Sequence, residues 1–278
     1  MSFSFARICN QAFRRTSVRH STVHPTRTAY RRQAWGAAFG AAVCLALMIT
    51  PRFNEIHLDS QPLEPLVHKG EVEDSVADPA TSITFPKSMR IPSNTKIPPL
   101  TLVGVGVRTV SFLSVKVYSV GFYADLQNPN LKVSLDMAPQ EKVDYIIQNT
   151  ACVIRIVPTR STSYTHLRDA FMRALQARLS RSIKDGAITE EVAQATSSPM
   201  RTLKGLFPNS PLLKHTPLDI FLAAPTPNRP RPLVFRDLGS VENDWVATEF
   251  ILNYFGTDAP SPALRNTVLN FMESFQTR

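Results

Sequence analysis

An α+β fold with an antiparallel sheet is the class this sequence predicts, on three observations. Strand-like segments crowd together between residues 100 and 157. One long amphipathic helix follows over 162–183, and two further helical patterns close the chain. Strands and helices come in blocks, whereas strict alternation would signal a parallel sheet.

The first element is ITFPKSMRIP, residues 83–92, whose prolines suit only an edge strand. Leu100 to Val107 and Phe112 to Tyr123 are rich in β-branched and aromatic residues and read as a strand pair. TACVIRIV, residues 150–157, reads as another strand, stopped by Pro158. From Thr162 to about Ile183, Tyr164, Leu167, Phe171, Leu175 and Leu179 recur at helical spacing, with Ser161 to Ser163 as N-cap candidates. Another helix is expected from Thr189, with Glu190 and Glu191 in its first turn. Pro217 to Ala224 and Leu233 to Val241 read as a strand pair, and Trp245 to Phe255 and Ser261 to Phe275 as the closing helices.

Within the first strand pair stands Arg108, alone among apolar neighbours. Ionised side chains are rarely buried without a partner. Arg108 therefore predicts either a structural carboxylate or a polar, anionic ligand.

The formal charge of +9 excludes less than it suggests. Residues 1–54 hold eight arginines and no acid, so they supply +8 of it. A nucleic-acid-binding domain would carry its excess on the folded part, so no nucleic-acid partner is expected. Three cysteines (Cys9, Cys44, Cys152) and six scattered histidines form neither CxxC nor HExxH, so no structural zinc is expected. Gly104-x-Gly106 fails as a dinucleotide loop, because Thr109 takes the third glycine position and strand continues where a helix should begin.

The N-terminus reads as an address. Residues 1–33 are Arg-rich and acid-free, with interspersed Phe3, Phe5, Ile8 and Phe13, the composition of a mitochondrial transit peptide. Residues 34–50 carry no charge and reach the lower end of the ~17–25 residues that span a bilayer. A single inner-membrane span is expected, with the arginines on the matrix side and the larger domain in the intermembrane space. Complete import into the matrix is the alternative. Residues 51–83 form a proline-rich linker, and 84–278 the folded domain.

GVGVRTVSFLSVKVYSVGFY, IVPTRSTSYTHLRDAF, LVFRDLGSV and ILNYFGTDAPSPALR, in that order, resemble segments of the chalcone isomerase family. With its leader, apolar run and linker, the chain is similar to the fungal mitochondrial branch of that family. The resemblance implies an open-faced β-sandwich, a large antiparallel sheet with helices layered on one face and a cleft between them. In the plant enzymes an arginine, here Arg108, stabilises charge that develops during ring closure. A tyrosine that helps to bind the ketone corresponds to Tyr164.

Three further site positions depart from the enzymes: Tyr118 and Asn253 replace threonines, and Phe171 replaces an asparagine. The resemblance therefore implies a binder of an amphipathic anion, haem or a fatty acid, whose acidic group meets Arg108. His166 and His215 are the axial candidates for a haem, with Tyr118 or Tyr164 as substitutes. The alternative is an intramolecular lyase of chalcone isomerase type, with Arg108 and Tyr164 catalytic, acting on an unknown substrate.

Overall fold

The computed structural model describes residues 74–92, 97–110 and 113–277. The expected transit peptide, apolar run and most of the linker lie outside them. Among the described residues no helix is long and apolar enough to cross a membrane.

The fold begins before residue 84. Strand β1 (Ser75–Ala77) pairs with β2 (Thr84–Pro86) in an antiparallel hairpin. Buried Asp78 closes its turn by accepting from the Ala80 amide (3.0 Å) and the Thr81 hydroxyl (3.0 Å). The same carboxylate accepts from Ser119 Oγ (2.6 Å), which ties the hairpin to the main sheet. Asp78-Pro79 inside the expected linker is thus turn chemistry.

Seven antiparallel strands make the main sheet. In chain order they are β3 (Ser88–Met89), β4 (Leu100–Val110), β5 (Val115–Ala124), β6 (Cys152–Pro158), β9 (Leu218–Leu222), β10 (Pro232–Phe235) and β11 (Gly239–Glu242). Across the sheet they run β11-β10-β9-β6-β5-β4-β3. Between β6 and β9, β7 (Thr162–Ser163) and β8 (Pro211–Leu212) form a separate two-stranded ladder. The segment 233–241, expected as one strand, is a hairpin that turns at Asp237, where φ is 63°.

Six helices accompany the sheet: α1 (Pro139–Asn149), α2 (Tyr164–Lys184), α3 (Glu190–Ala195), α4 (Ser197–Leu206), α5 (Asp244–Leu252) and α6 (Pro262–Ser274). Ser163, Thr189, Asn243 and Ser261 cap α2, α3, α5 and α6 through their side chains. The helix expected from Thr189 is two helices, broken at buried Thr196. Helix α1 was not anticipated. It is short and polar in composition; Val143, Ile146 and Ile147 enter the core, beside buried Lys142 and half-buried Tyr145.

The helices share one large core with one sheet face, built on Phe122, Ile154, Ile156, Phe171, Phe250 and Phe255. The opposite face carries a smaller core of Phe85, Leu100, Tyr123 and Val153 under the β1–β2 hairpin. Helix α6 lies very close to β4: a Cβ at Gly106 would stand 2.1 Å from the Leu264 amide nitrogen. Only glycine permits that approach, and Ser261 Oγ secures it by donating to the Val107 carbonyl (2.8 Å). The approach holds the start of α6 against the strand that carries Arg108.

Candidate functional site

Arg108 lies near the end of β4, directly across the ladder from Tyr118 on β5, just before the register shifts at Arg108/Thr109. Its guanidinium carbon is 5.8 Å from the centre of the Tyr118 ring. This is cation–π geometry, with the ring fully inside the fold. Arg108 is half-buried, and it makes no ion pair and no hydrogen bond among the described residues. The structural carboxylate that the sequence allowed is absent among them.

A small cavity of about 140 Å³ opens beside the guanidinium, lined by Arg108, Phe171, Ala174, Asn253, Tyr254 and Asp258 among others. Phe171 comes from α2 and meets Phe250 of α5 edge-to-face at 4.8 Å, which closes the cavity inward. Asn253 is the C-cap of α5, and Asp258 is held by Arg181 (2.9 Å). Arg108, Tyr118, Phe171 and Asn253, four positions named from the sequence, thus meet at one place.

Tyr164 does not join them. It opens α2, packs half-buried on the large core and is not among the lining residues. His166 is exposed, with its amide bonded to Ser163 Oγ. His215 is exposed in a turn with φ 63°, its amide bonded to the Pro158 carbonyl, and it borders a different groove with Thr81, Ile83 and Arg155. Neither histidine lines the Arg108 cavity.

Tyr254 is the residue that sequence reasoning missed. Its hydroxyl and that of Tyr118 are both buried without a hydrogen-bond partner. Burial pushes the Tyr254 phenol well above its ordinary value, and the neighbouring Tyr118 phenol pushes it further, while Arg108 opposes both. Two buried hydroxyls and one guanidinium without an ion pair therefore lie together, an arrangement suited to an oxyanion. The available signal was helical spacing: Phe250 and Tyr254 stand four apart, and Phe250 lines the core.

Size limits what the cavity holds as folded. Sites that bury drug-sized ligands occupy ~300–1,000 Å³. A haem or a long acyl chain exceeds 140 Å³. Neither histidine reaches the cavity, so a haem there would have to take Tyr118 or Tyr254 as its axial ligand in place of an imidazole. A carboxylate head, or a few waters, does fit.

Comparisons with known proteins bear on the same segments. An uncharacterised protein of Schizosaccharomyces pombe is 36% identical over 101 residues, 30% of this chain and 39% of that protein. Altered inheritance of mitochondria protein 18 of Lachancea thermotolerans is 26% identical over 270 residues, 83% of each chain. The name of that relative places it in mitochondria, which supports a mitochondrial location for this chain. Among solved structures, a fatty-acid binding protein of Arabidopsis thaliana superposes with a TM-score of 0.51 at 20% identity. It covers 72% of this chain and 98% of its own, and so shows the fold. The model of the family described as "Chalcone isomerase like" matches residues 98–144 and 129–269, more than half of the sequence. Both strands of the Arg108 hairpin, α2 and α5 fall inside that match, and the chain belongs to the chalcone isomerase-like family.

Proposed function

We propose that this protein is a non-catalytic member of its family that holds an amphipathic carboxylate, a fatty acid, by its head at Arg108. One observation carries the reading: the Arg108 guanidinium makes no ion pair among the described residues, while the buried Tyr118 and Tyr254 hydroxyls lack hydrogen-bond partners. A carboxylate would satisfy all three groups. Phe171 and Phe250 would then part to admit the tail between α2 and α5, where the wall is already apolar.

Catalysis is disfavoured by the same residues. Tyr118 occupies the space beside the guanidinium, and Phe171 offers no hydrogen bond to a hydroxylated substrate. The intramolecular lyase remains the second reading, because an unpaired arginine beside two phenols could also stabilise a developing phenolate. The apolar run 34–50 supports a tether to the mitochondrial inner membrane, with the domain in the intermembrane space and the matrix as the alternative.

Titration of the purified full chain with dodecanoate by calorimetry tests the reading. Saturable binding is expected, weakened about tenfold or more in Arg108→Ala through loss of a charge-assisted pair. Turnover of a 2′-hydroxychalcone that disappears in the same variant would establish the lyase instead. A Soret band after addition of haemin, lost in Arg108→Ala, would replace the fatty acid by haem.

A further inference from the structure

The sheet face that turns away from the helices carries a larger cleft than the Arg108 cavity. The β1–β2 hairpin covers β4, β5 and β6 on that face, but β9 and β10 extend beyond it. There a cleft of about 420 Å³ opens, within the ~300–1,000 Å³ range of small-molecule sites. Its floor has two halves. Phe221 and Val234, cross-strand neighbours on β9 and β10, make an apolar half, and Met89 and Ile91 wall it.

The other half is cationic. Arg155 and Asp219 face each other across β6 and β9, and Arg155 holds the Asp219 carboxylate with two bonds, 2.7 and 2.9 Å. Asp219 is thus already committed when Arg236 reaches it through one terminal nitrogen at 3.2 Å. The Nε of Arg236 lies 3.8 Å from Asp237, beyond hydrogen-bond reach, and that carboxylate is 91% exposed. Arg155 and Arg236 both bond the buried Asp219 carboxylate, Arg236 is also ion-paired with the exposed Asp237 that lines the cleft, and Arg90 adds a third cation to the lining. The other terminal nitrogen of Arg236 makes no hydrogen bond among the described residues, and the side chain lines the cleft.

We propose that this cleft is a second ligand site, separate from the Arg108 cavity, for a small organic anion with an aromatic or short alkyl body. The body lies on Phe221 and Val234, and a carboxylate or sulfonate head takes the free terminal nitrogen of Arg236. Charge and shape complementarity both select this occupant: an apolar body alone would leave the free terminal nitrogen of Arg236 without an acceptor, and an inorganic anion would leave the apolar floor wet.

The test uses the full chain with 1-anilinonaphthalene-8-sulfonate, followed by fluorescence, and decanoate as competitor. Saturable binding is expected in a chain that carries Arg108→Met, so that the helix-side cavity does not compete, and in that chain it is weakened about tenfold by Arg236→Gln and partly retained in Arg236→Lys. Arg236 is half-exposed, so these variants are expected to fold, and circular dichroism checks that they do. An unchanged affinity in Arg236→Gln overturns the proposal, as does a complete lack of saturable binding. Loss in Arg108→Met alone also overturns it, by placing the probe among the helices. The Arg236 and Arg108 variants thus report on the two sites independently.

Discussion

Arg108 lies over the ring of Tyr118 at 5.8 Å, and this is its one polar contact among the described residues. The pairing joins β4 to β5 at the position where their register slips. A guanidinium held by a ring face alone keeps its donors available, and that availability separates a binding arginine from a structural one.

Arg108→Met is accordingly expected to change folding stability by less than about 1 kcal/mol, because a partly exposed cation–π contact is worth ~0.5–1 kcal/mol. Urea denaturation followed by circular dichroism measures it. A loss of several kcal/mol would mean that Arg108 is a structural residue.

Tyr254→Phe is expected to raise stability while it weakens the binding of a carboxylate ligand. The Tyr254 hydroxyl is buried without a partner, and such a group costs ~1–3 kcal/mol that phenylalanine does not incur. A gain of about 1 kcal/mol is expected, since the ring itself stays packed beside Phe250. Opposite signs for the two readouts would mark a group kept for a ligand rather than for the fold.

Periodicity made part of this site legible in advance, and distance hid the rest. The Arg108 strand, its partner and α2 are long elements whose patterns persist over ten residues or more, so their pairing could be anticipated. Helix α1 could not: its core contacts are few, and buried Lys142 disguises them, its ammonium bonded to the Met272 and Phe275 carbonyls at the end of α6. The outer cleft was equally hidden, because Arg155 and Asp219 meet only after β6 and β9 pair. No local pattern announces a contact set by register between distant strands.

Cys152 tests the tightness of the sheet interior. Burial pushes its thiol from 9.0 up to about 12, with Arg231 opposing. The folded state thus favours the neutral thiol. Its contribution to stability is complete below pH 9 and is lost as pH rises from 9 toward 12. In a Cys9→Ser/Cys44→Ser chain, the remaining thiol is expected to resist Ellman's reagent at pH 8 until urea unfolds the domain. Rapid native-state reaction would show that the β6 face opens readily.

Arg231 gives the strongest contrast with Arg108. It lies in the proline-rich run NRPRP, which reads as an exposed turn, yet it is only 4% exposed. Its guanidinium donates to the carbonyls of Ile147 (2.9 Å), Thr150 (2.9 Å) and Ala223 (2.8 and 2.9 Å). Two of these are orphan acceptors at the C-terminal end of α1, so the positive charge both satisfies them and meets the negative end of the helix dipole. Arg231→Met would retain most of the apolar volume but strand those carbonyls away from water. Each unsatisfied buried acceptor costs ~1–3 kcal/mol, so a loss of at least about 3 kcal/mol is expected in urea denaturation. Hydrogen exchange should rise first in α1, where the cap is lost, and a uniform rise across the domain would instead mean that Arg231 supports the whole core.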